Sequence, residues 1–360
     1  MIRILFLESS KNFGGQEMRM LDLVKSLDKV RFKAIIGAQA KSYLYKNQAQ
    51  LGVKIEPVSM RNALDIKGII KIVRLILRDN IHLVVAYSGK DGWLGLLAAR
   101  LCGIKIVRMK NLELFKHRTS YNLSDVVIVP SEYIKHFLVL RGVKEEKIRV
   151  VYPGIDGAIF RFREEDRSRI RQQYDVLDDD ILLIYVAFFR GPKAHEILVD
   201  GLSCLDNPKV KLMLVGTGDN LQQIERLIVG HQLRSRVLLT GKQKNIVQFL
   251  SAGDIFVFPS RTESFGKAVV EAMACQLPIV ANDIPTVREI LGNEERGFIY
   301  KYDDVQDMVA KLSRCLENFE ACKAVANENV RYVEENFTLK RMTEAFEAIF
   351  CELAGTLENN

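Results

Sequence analysis

Short apolar runs recur along the chain, and segments with apolar side chains at helical spacing lie between them. Ile2–Leu7, Ala34–Ala38, His82–Ala86, Lys105–Val107 and Val126–Val129 read as buried strands. Arg19–Lys25, Ile66–Arg78 and Gly92–Leu101 read as the amphipathic helices between them. The alternation restarts at Asp180, with strands expected at Ile181–Val186, Val210–Val215, Val237–Leu239, Ile255–Phe258 and Ile279–Ala281. Strands alternating with helices imply parallel pairing through crossover helices. The expected class is therefore α/β, with two Rossmann-like, doubly wound domains. The Pro-Gly step in Val151-Tyr152-Pro153-Gly154-Ile155-Asp156 breaks both strand and helix and marks the joint. Ligands of doubly wound sheets sit at the carboxyl ends of the strands, so a cleft between the two domains is the expected site. Phe337–Leu357 reads as a long amphipathic helix with a polar tail, free to leave the second domain.

The length of 360 residues fits two domains, and a hydrophobic content of 48% fits a globular chain. Met1–Leu7 reads as a strand rather than a signal peptide, and no apolar stretch is long enough to span a bilayer. The six cysteines form no CxxC pair and the five histidines have no metal-ligand spacing, so a cytoplasmic protein with reduced cysteines and no metal is expected. Charge is uneven. Residues 1–160 carry 27 Lys and Arg against 14 Asp and Glu, a net of +13, and the remainder carries 25 against 31, a net of −6. A basic first half fits an anionic partner, either a membrane surface, a phosphorylated glycan or lipid, or nucleic acid; it fits a solvated lysine-rich surface equally. Nucleic acid ranks last, because aromatic and basic residues do not interleave and no nucleic-acid motif is present.

The richest stretch runs from Arg261 to Ala274 and holds two carboxylates eight positions apart, Glu263 and Glu271. Between them the chain reads as a loop at Phe265-Gly266 and a helix from Lys267, with Glu271 about two turns in. A loop feeding a helix start aims free N–H groups at one point, which suits a phosphate or sugar hydroxyl. A solvated turn residue and a solvated helix residue are the alternative. Three further loops follow strands. Gly14-Gly15 allows close backbone approach to a ligand. Arg190 and Lys193 place two cations where a diphosphate could be held, or are solvated charges. Gly216-Thr217-Gly218-Asp219 and Gly241-Lys242 could meet a nucleotide through backbone groups, or are plain turns. In the first half, Ser88-Gly89-Lys90-Asp91-Gly92-Trp93 contains the only tryptophan; it could bind an acceptor, or Asp91 could cap the helix that follows.

Taken together these residues resemble the retaining glycosyltransferases of the GT-B fold, family 4. Glu263 and Glu271 match the family's E-x7-E motif. Gly14-Gly15-Gln16-Glu17-Met18-Arg19 resembles its glycine loop, Val151–Asp156 its linker, and Phe337-Thr338 the start of its terminal helix. The glycine loop and the Lys90-Asp91-Gly92-Trp93 stretch resemble a bacterial subset tied to lipopolysaccharide or other surface glycans. The resemblance implies an N-terminal acceptor domain over 1–160, a nucleotide-sugar donor domain over 161–336, and a terminal helix, about 337–360, that crosses back to the first domain.

By the same resemblance Glu263 contacts the donor sugar, Glu271 the ribose, and Lys193 the diphosphate. The amides of Phe265, Gly266 and Lys267 face the sugar or phosphates, and Gly14 and Gly15 close over the donor; Gly216, from the residue reading, is a further candidate donor contact. Arg190 stands near a family Gly-Arg step that here reads Ala187-Phe188. Ala194 replaces a usual glycine, and Asn111 stands where the family usually has histidine. Lys90, Asp91, Trp93, Lys110 and His117 are the candidate acceptor contacts. The implied activity is retaining transfer, hexosyl or heptosyl, from a nucleotide sugar to a glycan or glycolipid acceptor at the inner membrane face, without metal or other cofactor. The alternative is a weak or inactive member that binds nucleotide or glycan as a partner protein.

Overall fold

The computed structural model describes residues 1–111 and 118–355. The chain divides into two compact units, one of Met1–Gly154 with the segment from Leu339 onward, the other of Ile155–Thr338. The expected breaks at 160/161 and 336/337 thus fall at 154/155 and 338/339. The reason is local: Ile155 N donates to Phe337 O at 2.8 Å, and Ile155 pairs with Thr338 in a parallel bridge, so both residues belong to the second unit.

The first unit contains a seven-stranded sheet in the order β3-β2-β1-β4-β5-β6-β7. Its strands are β1 Ile2–Glu8, β2 Phe32–Ala38, β3 Ile55–Pro57, β4 Leu83–Ala86, β5 Lys105–Met109, β6 Val126–Val129 and β7 Ile148–Val150. All pair in parallel, as in Ile4 opposite Ala34 on one side and Leu83 on the other. Alternate side chains of β1 enter separate cores. Ile4 and Phe6 pack with Leu23 of the Gly15–Ser26 helix and with Phe346 and Phe350 of the Leu339–Gly355 helix. Leu5 and Leu7 pack with Ile72 of the Ile66–Arg78 helix and Leu94 of the Gly89–Leu101 helix. Burial on both faces explains why these strands are continuously apolar. The terminal helix belongs to this unit because its Met342, Phe346, Phe350 and Leu353 stripe fills that core, and Thr343 and Glu347 bond Ser26 and the Asp28 amide at 2.7 and 2.8 Å.

The second unit holds a six-stranded parallel sheet in the order β10-β9-β8-β11-β12-β13. Its strands are β8 Ile181–Val186, β9 Val210–Val215, β10 Val237–Gly241, β11 Ile255–Phe258, β12 Ile279–Asn282 and β13 Phe298–Tyr300. In each sheet the order reverses at one point, between β1 and β4 in the first and between β8 and β11 in the second. Loops leaving neighbouring strands part there and open a crevice. Among the described residues no helix is long and apolar enough to cross a membrane.

Candidate functional site

In the second unit the loops after β8 and β11 flank the switch point. Lys193 ends a one-turn 3-10 helix, Gly191–Lys193, on the first loop, and Glu263 lies on the second. Their side chains form an ion pair between Lys193 Nζ and Glu263 Oε1, with 15% and 17% exposure. A set of hydrogen bonds and ion pairs fixes the loops that carry the pair. The Tyr185 hydroxyl donates to Lys193 O at 3.1 Å and lies 2.9 Å from Ser260 Oγ. Arg261 N donates to Pro192 O at 2.9 Å, and the Arg261 side chain bonds Glu196 at 2.7 Å and Asp303 at 2.8 Å. Asn282 Nδ2 donates to Ser260 O at 3.1 Å. The two loops are therefore one rigid piece, as a site that works by positioning requires.

The helix Lys267–Ala274 starts at Gly266, whose φ of +100° suits glycine. Glu271 is its fifth residue, so it stands about one turn into the helix rather than two, a consequence of 3.6 residues per turn counted from the observed start. It is 9% exposed, with Lys267 Nζ 3.5 Å from its Oε1. Phe265 is buried against Phe337, ring centroids 5.5 Å apart, so its side chain faces the protein interior. Gly216 follows β9. Its N donates to Gly241 O at 3.0 Å, and a Cβ there would lie 1.9 Å from Ala187 O, so only glycine lets the loops after β8 and β9 approach. Arg190 and Phe188 are exposed at the end of β8. Ala194 adopts the left-handed conformation, φ 49° and ψ 44°, which accounts for a glycine preference at this position. His195 stacks on Phe189 at 4.0 Å; burial, and then the neighbouring Lys193 charge, pull its pKa down to about 3, so it is neutral.

The first unit has its own crevice at the β1/β4 switch point, a cavity of about 610 Å³. Lys90, Trp93, Lys110 and Asn111 line it, the last two buried at 7% exposure. Asp91 does not. It is fully buried, accepts from Ser88 N at 2.7 Å, Ser88 Oγ at 2.9 Å and Ser9 N at 3.1 Å, and closes a capping box on the Gly89–Leu101 helix. Of the two sequence readings of Asp91, the geometry is that of the helix cap. Gly14 likewise caps a helix, its N donating to Glu17 Oε2 at 2.8 Å ahead of Gly15–Ser26. His117 lies outside the described residues.

Sequence reasoning passed over three residues here. Glu8 ends β1 and bonds Ser10 N at 2.8 Å and Gln16 Nε2 at 2.6 Å. Burial, and then Asp91, push its pKa up to about 8. Tyr121 lines the same cavity, and Arg108 projects from β5 into its wall. Burial and then the Arg108 charge bring Lys110 down to about 8. The available signal was a charged residue at or next to the carboxyl end of an apolar strand, as at Glu8 and Arg108. Among the described residues no group of three or more His, Cys, Asp or Glu has the arrangement of a metal site, and all six cysteines are free.

Residues 13–158 match the model of Glycosyltransferase Family 4, and residues 166–331 match Glycosyl transferases group 1. The chain thus carries a glycosyltransferase family 4-like domain followed by a group 1 domain, on the GT-B fold. N-acetyl-alpha-D-glucosaminyl L-malate synthase of Bacillus anthracis is 26% identical over 59% of this chain and 55% of its own length. The capsular polysaccharide biosynthesis glycosyltransferase CapM of Staphylococcus aureus is 22% identical over 79% of this chain and 80% of its own. The first of these matches therefore spans little more than half of its relative. Among solved structures, Anabaena HepE in complex with UDP superposes with a TM-score of 0.89 at 23% identity, covering 98% of this chain and all of that one.

Proposed function

We propose that the protein is a retaining glycosyltransferase, hexosyl or heptosyl, that moves a sugar from a nucleoside diphosphate sugar to a glycan or glycolipid acceptor in surface-polysaccharide or lipopolysaccharide assembly. The observation that carries the reading is the braced Lys193–Glu263 pair at the switch point of the second sheet, beside the helix start at Gly266. In this reading Lys193, Arg190 and the amides of Gly266 and Lys267 take the charge of the departing diphosphate. Glu263 accepts from the sugar hydroxyls, and Glu271 from the ribose. The leaving phosphate oxygen takes the acceptor proton, so no strong protein base is needed and charge is met by the chain's own cations rather than by a metal. The acceptor is assigned to the cavity of the first unit. UDP is the nucleotide of first choice, because HepE was solved with UDP and with UDP-glucose.

The Ile66–Arg78 helix supports contact with an anionic membrane. Leu64 and Ile66 are 70% exposed and Leu77 65%, and Lys67 and Arg74 are exposed beside them. Flotation with vesicles rich in anionic lipid, and not with neutral ones, is the expected result; equal behaviour of the two sinks this part.

The test of the whole reading is incubation with UDP-, GDP- and ADP-sugars, following released nucleotide, with the anomeric configuration of the transferred or freed sugar read by NMR. Turnover with retained configuration is expected, and an inverted product overturns the mechanism. Tight donor binding without turnover for every donor and acceptor favours the second reading, a weak or inactive binding partner. Phe188 at the end of β8, Ala194 after the lysine and Asn111 in the first unit motivate that alternative.

A further inference from the structure

We propose that Arg261 is a positioning residue for the transfer, acting by holding the Lys193 loop in place against the Glu263 loop rather than by contact with the donor. The inference rests on the reading of Lys193 and Glu263 as the donor-holding pair. Arg261 lies three residues past the end of β11 and two before Glu263. Its main chain and its side chain both reach the loop after β8. Arg261 N donates to Pro192 O at 2.9 Å, Nη1 to Gly191 O at 3.4 Å, and the same Nη1 to Glu196 Oε1 at 2.7 Å. Gly191 and Pro192 stand directly before Lys193, and Glu196 stands three residues after it in the first turn of the His195–Cys204 helix. One residue of the β11 loop thus holds the chain on both sides of the lysine.

The other arm of the guanidinium closes a ring. Nε donates to Asp303 Oδ1 at 2.8 Å. Asp303 lies past the end of β13 in the left-handed conformation, φ 59°. Its N donates to Asn282 Oδ1 at 3.1 Å, and Asn282 Nδ2 donates back to Ser260 O, the residue before Arg261, at 3.1 Å. Asn282 itself is fully buried at the end of β12. A guanidinium is a planar fork with donors on separate edges, which lets one side chain serve Glu196 and Asp303 together. These carboxylates are 30% and 35% exposed, so water can replace the arginine there and the ion pairs add little to stability. Rate is more sensitive: a misplacement of about 1 Å costs on the order of a hundredfold. The clamp therefore matters for turnover more than for folding.

The experiment compares the wild-type protein with Arg261→Gln, with the double variant Glu196→Ala and Asp303→Gly, and with all three changes together. Glycine suits the left-handed backbone at 303. Release of nucleoside diphosphate from UDP-, GDP- and ADP-glucose gives kcat and KM, calorimetry gives the affinity for the free diphosphate, and thermal melts report the fold. Arg261→Gln is expected to lower kcat by about tenfold to a hundredfold, with KM and diphosphate affinity within about threefold. The carboxylate double variant falls by a similar factor, carries the same test should Arg261→Gln not fold, and loses no more when Arg261→Gln is added, because the three act as one unit. Tyr300→Phe, which deletes a buried hydroxyl without a partner among the described residues, keeps its kcat. Undiminished kcat in a folded Arg261→Gln protein overturns the proposal. So does a loss of diphosphate affinity as large as the loss of kcat, which makes Arg261 a donor contact, or a further loss in the triple variant, or an equal fall in Tyr300→Phe. Lys193→Ala separates this inference from the donor reading: full turnover in that variant, or none in the wild type, overturns both, whereas its loss beside an undiminished Arg261→Gln overturns this one alone.

Discussion

Lys193→Met keeps the aliphatic stem of the lysine and removes its charge. Both members of the Lys193–Glu263 pair are more than four-fifths buried, at 15% and 17% exposure. Two unit charges about 4 Å apart attract by about 4 kcal/mol at an effective permittivity near 20. Lost hydration offsets most of this, leaving roughly 1–2 kcal/mol of net coupling. Removing one partner strands the other without its counter-charge, so Lys193→Met and Glu263→Gln are each expected to cost about 2 kcal/mol. The double variant should cost less than the sum by about 1–2 kcal/mol. Urea unfolding of the four proteins measures the cycle. Turnover of the donor measures function: each single variant should lose a factor of roughly 10²–10³, and the double variant little more than the worse single, because the two act on one leaving group. Strict additivity in stability would refute the pair as an energetic unit. Undiminished turnover in either single variant would refute the site.

Two further expectations concern the fold around the sites. Folded Glu8 keeps its proton up to about pH 8, against an ordinary value of 4.5, so between these values the native state binds more protons than the unfolded chain. Stability therefore falls as pH rises from about 4.5 to 8, and Glu8→Gln flattens that slope; identical pH profiles for the two proteins in thermal melts count against the buried carboxyl. Gly216→Ala sets a methyl 1.9 Å from Ala187 O at a φ of +148° and should cost more than about 3 kcal/mol, or prevent folding. Gly230→Ala, where a Cβ meets nothing within 4 Å at the end of the Leu221–Gly230 helix, should be neutral or gain up to about 1 kcal/mol, and equal losses at the two positions would contradict the geometry.

Much of the fold was legible in the chain. Val126–Val129, Ile181–Val186, Val210–Val215 and Ile255–Phe258 are strands over the ranges expected, and Ile66–Arg78 is a helix over its whole expected range. These strands are internal to their sheets or buried on both faces, which writes a continuous apolar run into the sequence. Ile55–Pro57, Ile148–Val150 and Phe298–Tyr300 were missed. Each has three residues and lies at a sheet edge, too short to show a period. The Gly89–Leu101 helix begins three residues before its expected start because Ser88 and Asp91 cap it, a bond that apolar spacing does not record.

By itself the sequence determined the parallel α/β class, the presence of two such domains, the E-x7-E stretch with its loop-to-helix transition, and the return of the terminal helix implied by the family resemblance. These are local or periodic properties, written in neighbouring residues. Tertiary structure alone decided that Lys193 meets Glu263, seventy residues away, because strand order β8-β11 brings their loops to one switch point. It also decided that Asp91 closes a cap, and that Arg108 lies buried over Gly92. A carboxylate or guanidinium in a sequence has no environment; burial, competing partners and the loops joined at a sheet's reversal point supply one, and those depend on which strands become neighbours.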